Sequence, residues 1–526
     1  MKAGRSFRSI ARARGLLAGL WLAAFCLALA LPASEAPGLV PLAGFLAGTQ
    51  PFHALERALL AAALASALAA LAALAGALVL GRFHCSLLCP LGTCQDAAAR
   101  AASAGRSARR GPGRRKGRAF GAARLLLAVL VPGALAAGLS APATLLEPYS
   151  IFARGFSRTA GDLAGLALNG LEALGLRIPV VTLRWEPLAF ALAALPFAAI
   201  LAAGSFRSRW FCGELCPVGA ALGAINRLAA LRVRFDPAAC VACGACEQVC
   251  RARCVDASGL DASRCVQCLD CLAVCPTGAL SYGPGPAKGA GAPDLSRRRF
   301  IADAGAVAAG AALALALPAA AGASALPLVR KAPRGASGRL LAAPPGAASV
   351  DRYASLCTGC GTCARACPSG VLRHSGAEFG LARPLVPYLD YGRAFCQYEC
   401  VACAGVCPSG ALLPLAPEAK KRTAIGKSNL VLADCIVVSK GTRCGACAEH
   451  CPSGAVRIEA VPGRPLPVPV LHGPTCIGCG ACETVCPATP RKAMTVAGLA
   501  VHETAEPPRK DAPEGDAAPP VEGFAF

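Results

Sequence analysis

The chain has 526 residues, of which 55% are hydrophobic and only 16% are charged, against about 25% charged in an ordinary soluble domain. This balance is hard to reconcile with a wholly water-soluble protein, and the apolar content excludes disorder over most of the length. Basic residues outnumber acidic ones by 53 to 30, a net charge of +23, but only 5% of residues are aromatic, which argues against stacking on single-stranded nucleic acid.

Four apolar stretches in the first 210 residues predict membrane helices. They run approximately over 15–31, 58–80, 122–139 and 188–204, and each is long enough to cross a hydrocarbon core of about 30 Å. Buried helices of an alanine-rich soluble domain are the alternative. Arginine and lysine cluster before the first stretch and between the second and third, so both ends of this four-helix unit are predicted to face the cytoplasm.

Composition divides the chain into five segments. The four-helix transmembrane unit is predicted over 1–234, and a polar, cysteine-dense segment follows over 235–282. A Gly/Pro/Ala-rich linker and a weakly apolar run fill 283–325. A second cysteine-rich region is predicted over 350–496, and 497–526, which is rich in Pro, Asp and Glu, is predicted to be a disordered tail.

The segment between the two cysteine-rich regions contains an arginine motif ahead of an apolar run and small residues, Ser296-Arg297-Arg298-Arg299-Phe300-Ile301. This pattern is typical of a twin-arginine export signal. An ordinary fifth membrane helix is the alternative, and both interpretations place the second cysteine-rich region in the periplasm. A soluble linker that leaves the whole chain cytoplasmic is a third interpretation.

A repeated cysteine spacing predicts six iron–sulfur sites among the 31 cysteines. Four of the motifs have the pattern C-x2-C-x2-C-x3-C. In the two variants, three or eight residues instead of two separate the first cysteine from the second. The six sets are Cys240, Cys243, Cys246 and Cys250; Cys265, Cys268, Cys271 and Cys275; Cys357, Cys360, Cys363 and Cys367; Cys396, Cys400, Cys403 and Cys407; Cys435, Cys444, Cys447 and Cys451; and Cys476, Cys479, Cys482 and Cys486.

The spacing has a geometric reason. Three thiolates on a tight loop can each reach a different iron of one [4Fe–4S] cluster, while the fourth points to the other cluster of a two-cluster fold. Glycines between the ligands, at Gly361, Gly445 and Gly480, are expected to let the backbone wrap close to the sulfurs. Zinc ribbons do not need this third and fourth cysteine, and disulfides between such close cysteines would be strained.

We therefore expect two [4Fe–4S] clusters in the first cysteine-rich region and four in the second, on α+β folds of the bacterial ferredoxin type. In the first region Cys250 and Cys275 are expected to exchange, each completing the set of the other motif. Cys254 is left over, as a spare thiol or a substitute ligand. Each oxidised cluster with its thiolates contributes a charge of about −2, so six clusters would offset about 12 of the positive charges.

Two further cysteine pairs stand at the ends of predicted membrane helices, each followed by proline: Cys85 with Cys89, and Cys212 with Cys216. Residues four apart lie on one face of a helix, so the two pairs could supply four thiolates to one additional metal site on the cytoplasmic side. A redox-active or docking pair of thiols is the alternative. Cys94 is close enough in sequence to belong to the same site.

The sequence contains no good candidate for general acid or base chemistry. None of its six histidines lies within a predicted membrane helix, which excludes a bis-histidine haem bundle. No glycine-rich nucleotide-binding pattern follows a strand, which disfavours a flavin or nicotinamide cofactor. His84, beside Cys85, is one candidate for contact with a quinone head group, and a structural role is the alternative.

These motifs resemble two families of bacterial iron–sulfur proteins. The four helices, the two C-x3-C-P pairs and the two-cluster segment resemble NapH, the membrane ferredoxin of periplasmic nitrate reductase systems, and its relatives NosR and CcoG. The portion over 296–496 resembles the NapG/MauM ferredoxins, which have a twin-arginine start and four cysteine groups, the third with the long gap from Cys435 to Cys444. Two features depart from the pattern: no proline follows Cys250, and three residues instead of two separate Cys396 from Cys400.

The resemblance implies a fusion of a quinol-oxidising membrane partner with its periplasmic electron carrier, in the bacterial inner membrane. Such a protein would pass electrons between the quinone pool and a periplasmic reductase or cytochrome, as a quinol dehydrogenase component or as a non-enzymatic carrier, with the cysteines above as ligands and without a nucleic-acid partner. Its first ferredoxin segment would be cytoplasmic and its second periplasmic. Two alternatives remain open: an accessory factor for assembly or redox maturation of a metalloenzyme, and a cytoplasmic ferredoxin hub.

Overall fold

The computed structural model describes residues 2–30, 38–54, 64–104, 120–136, 145–174, 187–257, 259–284, 335, 338–376, 378–379, 385–392 and 394–508. The predicted twin-arginine segment over 283–325 lies outside these residues apart from 283–284. The end of the predicted tail, after residue 508, lies outside them as well.

Helices form the first part of the molecule. They are α1 (Lys2–Ala30), α2 (Leu39–Gly48), α3 (Leu64–Leu80), α4 (Phe83–Leu87), α5 (Pro90–Ala104), α6 (Phe120–Ala136), α7 (Pro148–Phe156), a π-helical turn (Ser157–Gly161), α8 (Asp162–Ala173), α9 (Pro187–Arg207), α10 (Trp210–Glu214) and α11 (Pro217–Asn226).

Two of these helices have the length and hydropathy of a membrane span, α1 over Phe7–Ala30 and α9 over Pro187–Phe206. Both expose large apolar side chains, such as Leu20 and Leu195, which fits a lipid-facing surface. Helices α3 and α6 coincide with the other two predicted spans, but each is described over 17 residues only. The described chain therefore contains two candidate membrane helices, and the four-helix transmembrane unit stays a prediction.

The two cysteine-rich regions are built from short strands and helices. The strands are β1 (Leu231–Phe235), β2 (Val255–Asp256), β3 (Gly259–Leu260), β4 (Leu280–Pro284), β5 (Leu372–His374), β6 (Pro387–Leu389), β7 (Thr423–Leu430), β8 (Val456–Glu459), β9 (Val468–Leu471) and β10 (Met494–Thr504). The helices are α12 (Ala245–Val249), α13 (Asp270–Val274), α14 (Val350–Leu356), α15 (Thr362–Arg365), α16 (Ala402–Gly405), α17 (Pro417–Lys421), α18 (Ile436–Ser439), α19 (Ala446–Glu449) and α20 (Ala481–Thr484), with 3-10 turns at Leu432–Asp434 and Gly473–Thr475.

All the sheets in the described chain are antiparallel pairs of strands: β1–β4, β2–β3, β5–β6, β7–β10 and β8–β9. The first pair joins the strand before the Cys240 motif to the strand after the Cys265 motif. The β7–β10 pair brackets the Cys435 and Cys476 motifs in the same way. Pairing the outer strands brings the two ends of each unit together, so that its two cysteine motifs face each other across a small core.

Strand β10 corrects the predicted boundary of the tail over 497–526. The strand continues to Thr504, because alternating apolar residues from Met494 onward pair with β7. Within it, Gly498 donates its N–H to the Leu340 carbonyl at 2.8 Å. A Cβ at Gly498 would overlap the backbone of Leu341, so this close approach of two chain segments requires glycine.

A buried network of ion pairs joins the helical part to the first cysteine-rich region. Asp96 on α5 accepts two hydrogen bonds from Arg209, at 2.9 and 2.8 Å, and one from Arg251 at 2.6 Å. Arg251 also binds Asp270 at 2.6 Å. Burial alone would raise the pKa of Asp96, but the two guanidinium groups hold it well below its usual range, so the carboxylate stays ionised.

Replacing Asp96 by asparagine should destabilise the protein by about 3–5 kcal/mol, because Arg209 would keep a buried charge without its carboxylate. The measurement is the temperature at which helical signal is lost on heating in detergent. Glu418→Gln, which changes a largely exposed carboxylate, is the matched control and should leave that temperature nearly unchanged. Equal transition temperatures for the two variants would contradict this role of Asp96.

Candidate metal centres

In the first cysteine-rich region each site takes a thiol from the other motif. One cavity is lined by Cys240, Cys243, Cys246 and Cys275. A second cavity is lined by Cys250, Cys254, Cys265, Cys268 and Cys271. Cys250 and Cys275 thus occupy the exchanged positions that the spacing predicts, and Cys254 joins the second set.

The second cysteine-rich region repeats this exchange twice. Cys407 interacts electrostatically with Cys357, Cys360 and Cys363, and Cys367 with Cys396 and Cys403. Cys451 interacts with Cys479 and Cys482, and one further cavity is lined by Cys435, Cys444, Cys447 and Cys486. Each motif therefore gives its last cysteine to its neighbour, and the six predicted sets form three interlocked pairs.

The chemistry of these sets fits [4Fe–4S] clusters. Burial raises the pKa of Cys447 to about 11 and that of Cys479 to about 12, so these thiolates need a cation to be stable at neutral pH. Backbone N–H groups donate to sulfur, as Ala242 does to Cys240 at 3.4 Å. Within the described residues no three His, Cys, Asp or Glu side chains are close enough to bind a single metal ion.

In four of the six loops a left-handed residue after the second cysteine lets the chain wrap around its site. Gly244, Gly361 and Gly480 have φ values of +73°, +76° and +87°. Leu269 takes the same position in its motif with φ of +62°, so glycine is favoured there but not obligatory. Gly445 differs from the expectation, because its φ of −120° is accessible to any residue.

Alanine at Gly480 should reduce stability and cluster content more than alanine at Gly244. Both residues have positive φ, which alone costs about 1–2 kcal/mol for a residue with a Cβ. Only at Gly480 would the new Cβ overlap a side chain, the ring of Tyr391, which is fixed by its hydrogen bond to Gly478. Iron content and thermal unfolding of the two purified variants measure the difference, and equal losses would contradict the packing argument.

The structure brings the two C-x3-C-P pairs into one buried group, here called the thiol quartet: Cys85, Cys89, Cys212 and Cys216. Three donors point at its sulfurs. Gln95 donates to Cys212 at 3.2 Å, the Gly219 N–H to Cys216 at 3.2 Å, and Arg82 to Cys85 at 3.8 Å. Cys94 lies near Cys26 of α1, and both pack against the buried core that contains Cys89 and Cys216.

The quartet is built from a sequence repeat that the cysteine spacing alone did not identify. The pattern R-x2-C-x3-C-P-x-G begins at Arg82 and again at Arg209. Each arginine donates to the carbonyl of the first cysteine in the other repeat, Arg82 to Cys212 at 3.1 Å and Arg209 to Cys85. Two fully buried guanidinium groups thereby lock the repeats together beside the thiols and supply positive charge.

The closing glycines of the repeat allow this close approach. A Cβ at Gly92 would lie 2.9 Å from the Cys85 carbonyl oxygen, and one at Gly219 would lie 2.5 Å from that of Cys212. Both distances are shorter than real Cβ contacts. The glycines are therefore part of the site, and the repeated R-x2-C-x3-C-P-x-G pattern is the signal that could have revealed them.

If the quartet holds a cluster, substituting Cys89 or Cys216 by serine should remove one cluster per chain, because each thiol lies beside the other three. Native mass spectrometry of the anaerobically purified protein counts the clusters that remain. Cys26→Ser is the matched control, since Cys26 lies on α1 outside the quartet, and should keep the full number. If all three variants retain every cluster, the quartet is not a metal centre.

A second buried polar group, here called the outer polar cluster, consists of His53, Glu147, Tyr149 and Arg154. Glu147 caps α7 through the N–H groups of Tyr149 and Ser150 and lies 3.3 Å from His53. Burial would raise the pKa of Glu147, but His53 and these N–H groups hold it below its usual range. Sequence reasoning missed this group, although Glu-Pro is a typical helix start.

Arg154 is 1% exposed, and none of its guanidinium nitrogens has a hydrogen-bond partner among the described residues. Tyr149 meets the Thr362 hydroxyl at 3.1 Å, and Thr362 donates to the Cys360 sulfur at 3.4 Å. The outer polar cluster is thus linked through Thr362 to a cysteine of the second region.

His84 is buried on α4. Burial lowers its pKa to about 4, although the negative charge of Glu147 acts to raise the pKa, so the imidazole is neutral near pH 7.

Four sequence profiles of iron–sulfur families match five segments of the chain. A 4Fe-4S dicluster domain matches residues 261–371, a second matches 356–412 and a third matches 440–489. A 4Fe-4S binding domain matches both 62–111 and 188–235, the two segments that contain the repeats of the thiol quartet. Several 4Fe-4S binding domains are therefore present along the chain.

Three curated proteins illustrate the similarity. The ferredoxin-type protein NapG of Escherichia coli is 34% identical over 202 residues, which cover 37% of this chain and 82% of NapG. The methylamine utilization ferredoxin-type protein MauM of Methylorubrum extorquens is 33% identical over 149 residues, 27% of this chain and 66% of MauM. MauM of Paracoccus denitrificans is 33% identical over 150 residues, 27% of this chain and 65% of that protein. No solved structure matches the chain.

Proposed function

Because this chain belongs to the family of the ferredoxin-type protein NapG, we propose that it passes electrons across the bacterial inner membrane, between the quinone pool and a periplasmic redox enzyme. Iron–sulfur electron transfer of the ferredoxin type is common to these relatives and to the matched domains. Clusters held by the cysteine sets would supply one-electron chemistry. The membrane and quinone parts of the proposal rest on the contacts that follow.

The observation that carries the proposal is the placement of the two cysteine-rich regions at opposite ends of α1. Near its start, Arg8 donates to the Ala273 carbonyl at 3.2 Å. At its end, Arg365 donates to the Leu29 carbonyl at 3.2 Å and also binds that of Ala30. The candidate membrane span of α1, Phe7–Ala30, has 24 residues, about 36 Å of helix, and its arginines all lie in its first third, so a bilayer would lie between the two regions.

Helix α9 also has one cysteine-rich region at each end, but the chain runs through it in the direction opposite to α1. Its first turn contacts the second cysteine-rich region, where Leu188 packs against Gly376. At its other end, the Phe206 carbonyl accepts a hydrogen bond from Arg253 of the first cysteine-rich region at 3.1 Å. With the positive-inside rule, the first region would be cytoplasmic and the second periplasmic.

A continuous apolar core connects the thiol quartet with the second cysteine-rich region. Cys89 and Cys216 of the quartet belong to the same buried cluster as Cys360, together with aromatic rings such as Phe25 and Phe152. Electron transfer between two protein centres needs a short, dry path without mobile polar groups. This core would provide such a path for electrons between the proposed cytoplasmic and periplasmic sites.

We place the quinone head group at the outer polar cluster. Oxidation of a quinol to a quinone releases two electrons and two protons, so the site needs a one-electron acceptor nearby and groups that accept protons. Glu147 and His53 are such groups, and Arg154 offers unused donors to a quinone oxygen. Thr362 and Cys360 lie next to Tyr149 of the outer polar cluster, on the side of the second cysteine-rich region. This assignment replaces the expectation that the chain lacks acid or base candidates.

Quinol added to the holoprotein in lipid nanodiscs should bleach the visible absorbance of the clusters. Glu147→Gln should slow that reduction by about 100-fold, because the variant removes a proton acceptor while preserving its shape. Reduction by dithionite, which needs no proton acceptor, should keep its rate and serves as the internal control. Glu418→Gln, on an exposed surface, should behave as the unmodified chain.

Two results would contradict the proposal in different ways. If quinol does not reduce the unmodified holoprotein, the quinone function is wrong and an accessory role in metalloenzyme assembly gains support. If quinol reduces the unmodified protein and Glu147→Gln equally fast, the quinone function stands but its site lies elsewhere.

A further inference from the structure

Five thiols, instead of four, surround the second site of the first cysteine-rich region. Cys250 and Cys254 line the same cavity as the three cysteines of the second motif. The partner cavity, which Cys275 completes, has four thiols and no fifth. The two halves of one ferredoxin unit therefore differ by a single additional cysteine.

Cys254 lies in position to replace Cys250. Their sulfurs are 3.6 Å apart, and the Cys254 N–H donates to the Cys250 sulfur at 3.3 Å. Cys254 is 6% exposed, and its carbonyl accepts a hydrogen bond from the Asp261 N–H at 2.7 Å, which fixes its backbone. A left-handed Arg253, with φ of +48°, turns the chain so that both sulfurs reach one cavity.

The missing proline after Cys250 has a structural reason in the same loop. Arg251 stands at that position, and its guanidinium binds both Asp96 and Asp270 at 2.6 Å. A proline there would remove the ion pairs that attach this region to α5. The loop after Cys250 is therefore shaped by that attachment, and it continues to a second cysteine where the other motifs have a turn.

We propose that Cys254 is an exchange ligand of this site, able to take the place of Cys250 at the same iron. In the exchange, the bond from Cys250 to the metal breaks and one from Cys254 forms. The thiol proton of Cys254 moves to the released Cys250 sulfur, and no electron is transferred. The inference requires that the site holds a cluster, but it does not depend on the quinone function.

An exchange ligand would protect a cluster in the site beside Arg251, whose guanidinium binds Asp96. If the bond from one cysteine to the cluster opened, a second thiol 3.6 Å from the first would be in place to restore four ligands before iron is lost. Four-thiol sites such as that of Cys275 would lack this protection.

The test is a cluster count by native mass spectrometry on the anaerobically purified full chain, with electron paramagnetic resonance to detect three-iron forms. Cys250→Ala and Cys254→Ala should each keep the full number of clusters, while the double variant should lose one. The matched control is Cys275→Ala, which removes the equivalent ligand from the four-thiol site and should lose one cluster or give a three-iron signal.

Loss of one cluster from Cys250→Ala, as from the control, would overturn the proposal because Cys254 would then be unable to substitute. Loss from Cys254→Ala alone would also overturn it, since Cys254 would be a fixed ligand. If an alanine variant loses more than one cluster through misfolding, the serine variant, which preserves side-chain volume, decides by the same count. The remaining clusters report whether the rest of the chain has folded.

Discussion

Every predicted iron–sulfur site in the two cysteine-rich regions brings together thiols from two motifs. One tight loop would provide three ligands, and the last cysteine of the partner motif would provide the fourth, as Cys275 is placed to do for the Cys240 loop. Two sites must therefore fold together, which explains why outer strands such as β1 and β4 close each unit. A left-handed residue follows the second cysteine in four of the six loops, and the one at Gly480 is the most crowded.

The bilayer imposes the second constraint. Helix α1 contacts one cysteine-rich region through Arg8 and the other through its last carbonyls, so that its apolar length separates them. Cys89 and Cys216 of the thiol quartet share one buried core with Tyr149 of the outer polar cluster and with Cys360 of the second region. In the proposed function, electrons would pass between the quinone at the outer polar cluster and the adjacent Cys360 site, and between that site and further sites on either side.

Local sequence patterns predicted the local parts of the structure well. Cysteine spacing predicted the sets and the exchange of Cys250 with Cys275, and hydropathy identified α1 and α9. The crossed contacts of Arg82 and Arg209 and the outer polar cluster were missed, because they form between residues far apart in sequence. Gly445 was expected to let the backbone wrap close to the sulfurs, but its φ of −120° is accessible to any residue, since backbone angles depend on how each loop is held.

The central claim is that these thiol sets hold [4Fe–4S] clusters. Iron and acid-labile sulfide analysis of the anaerobically purified chain, with Mössbauer spectra of the same sample, tests it most directly. Six sets and the thiol quartet predict about 28 iron atoms per chain with an equal amount of sulfide, in the spectral form of four-iron clusters. A colourless preparation without iron, or one loaded with zinc, would contradict the account.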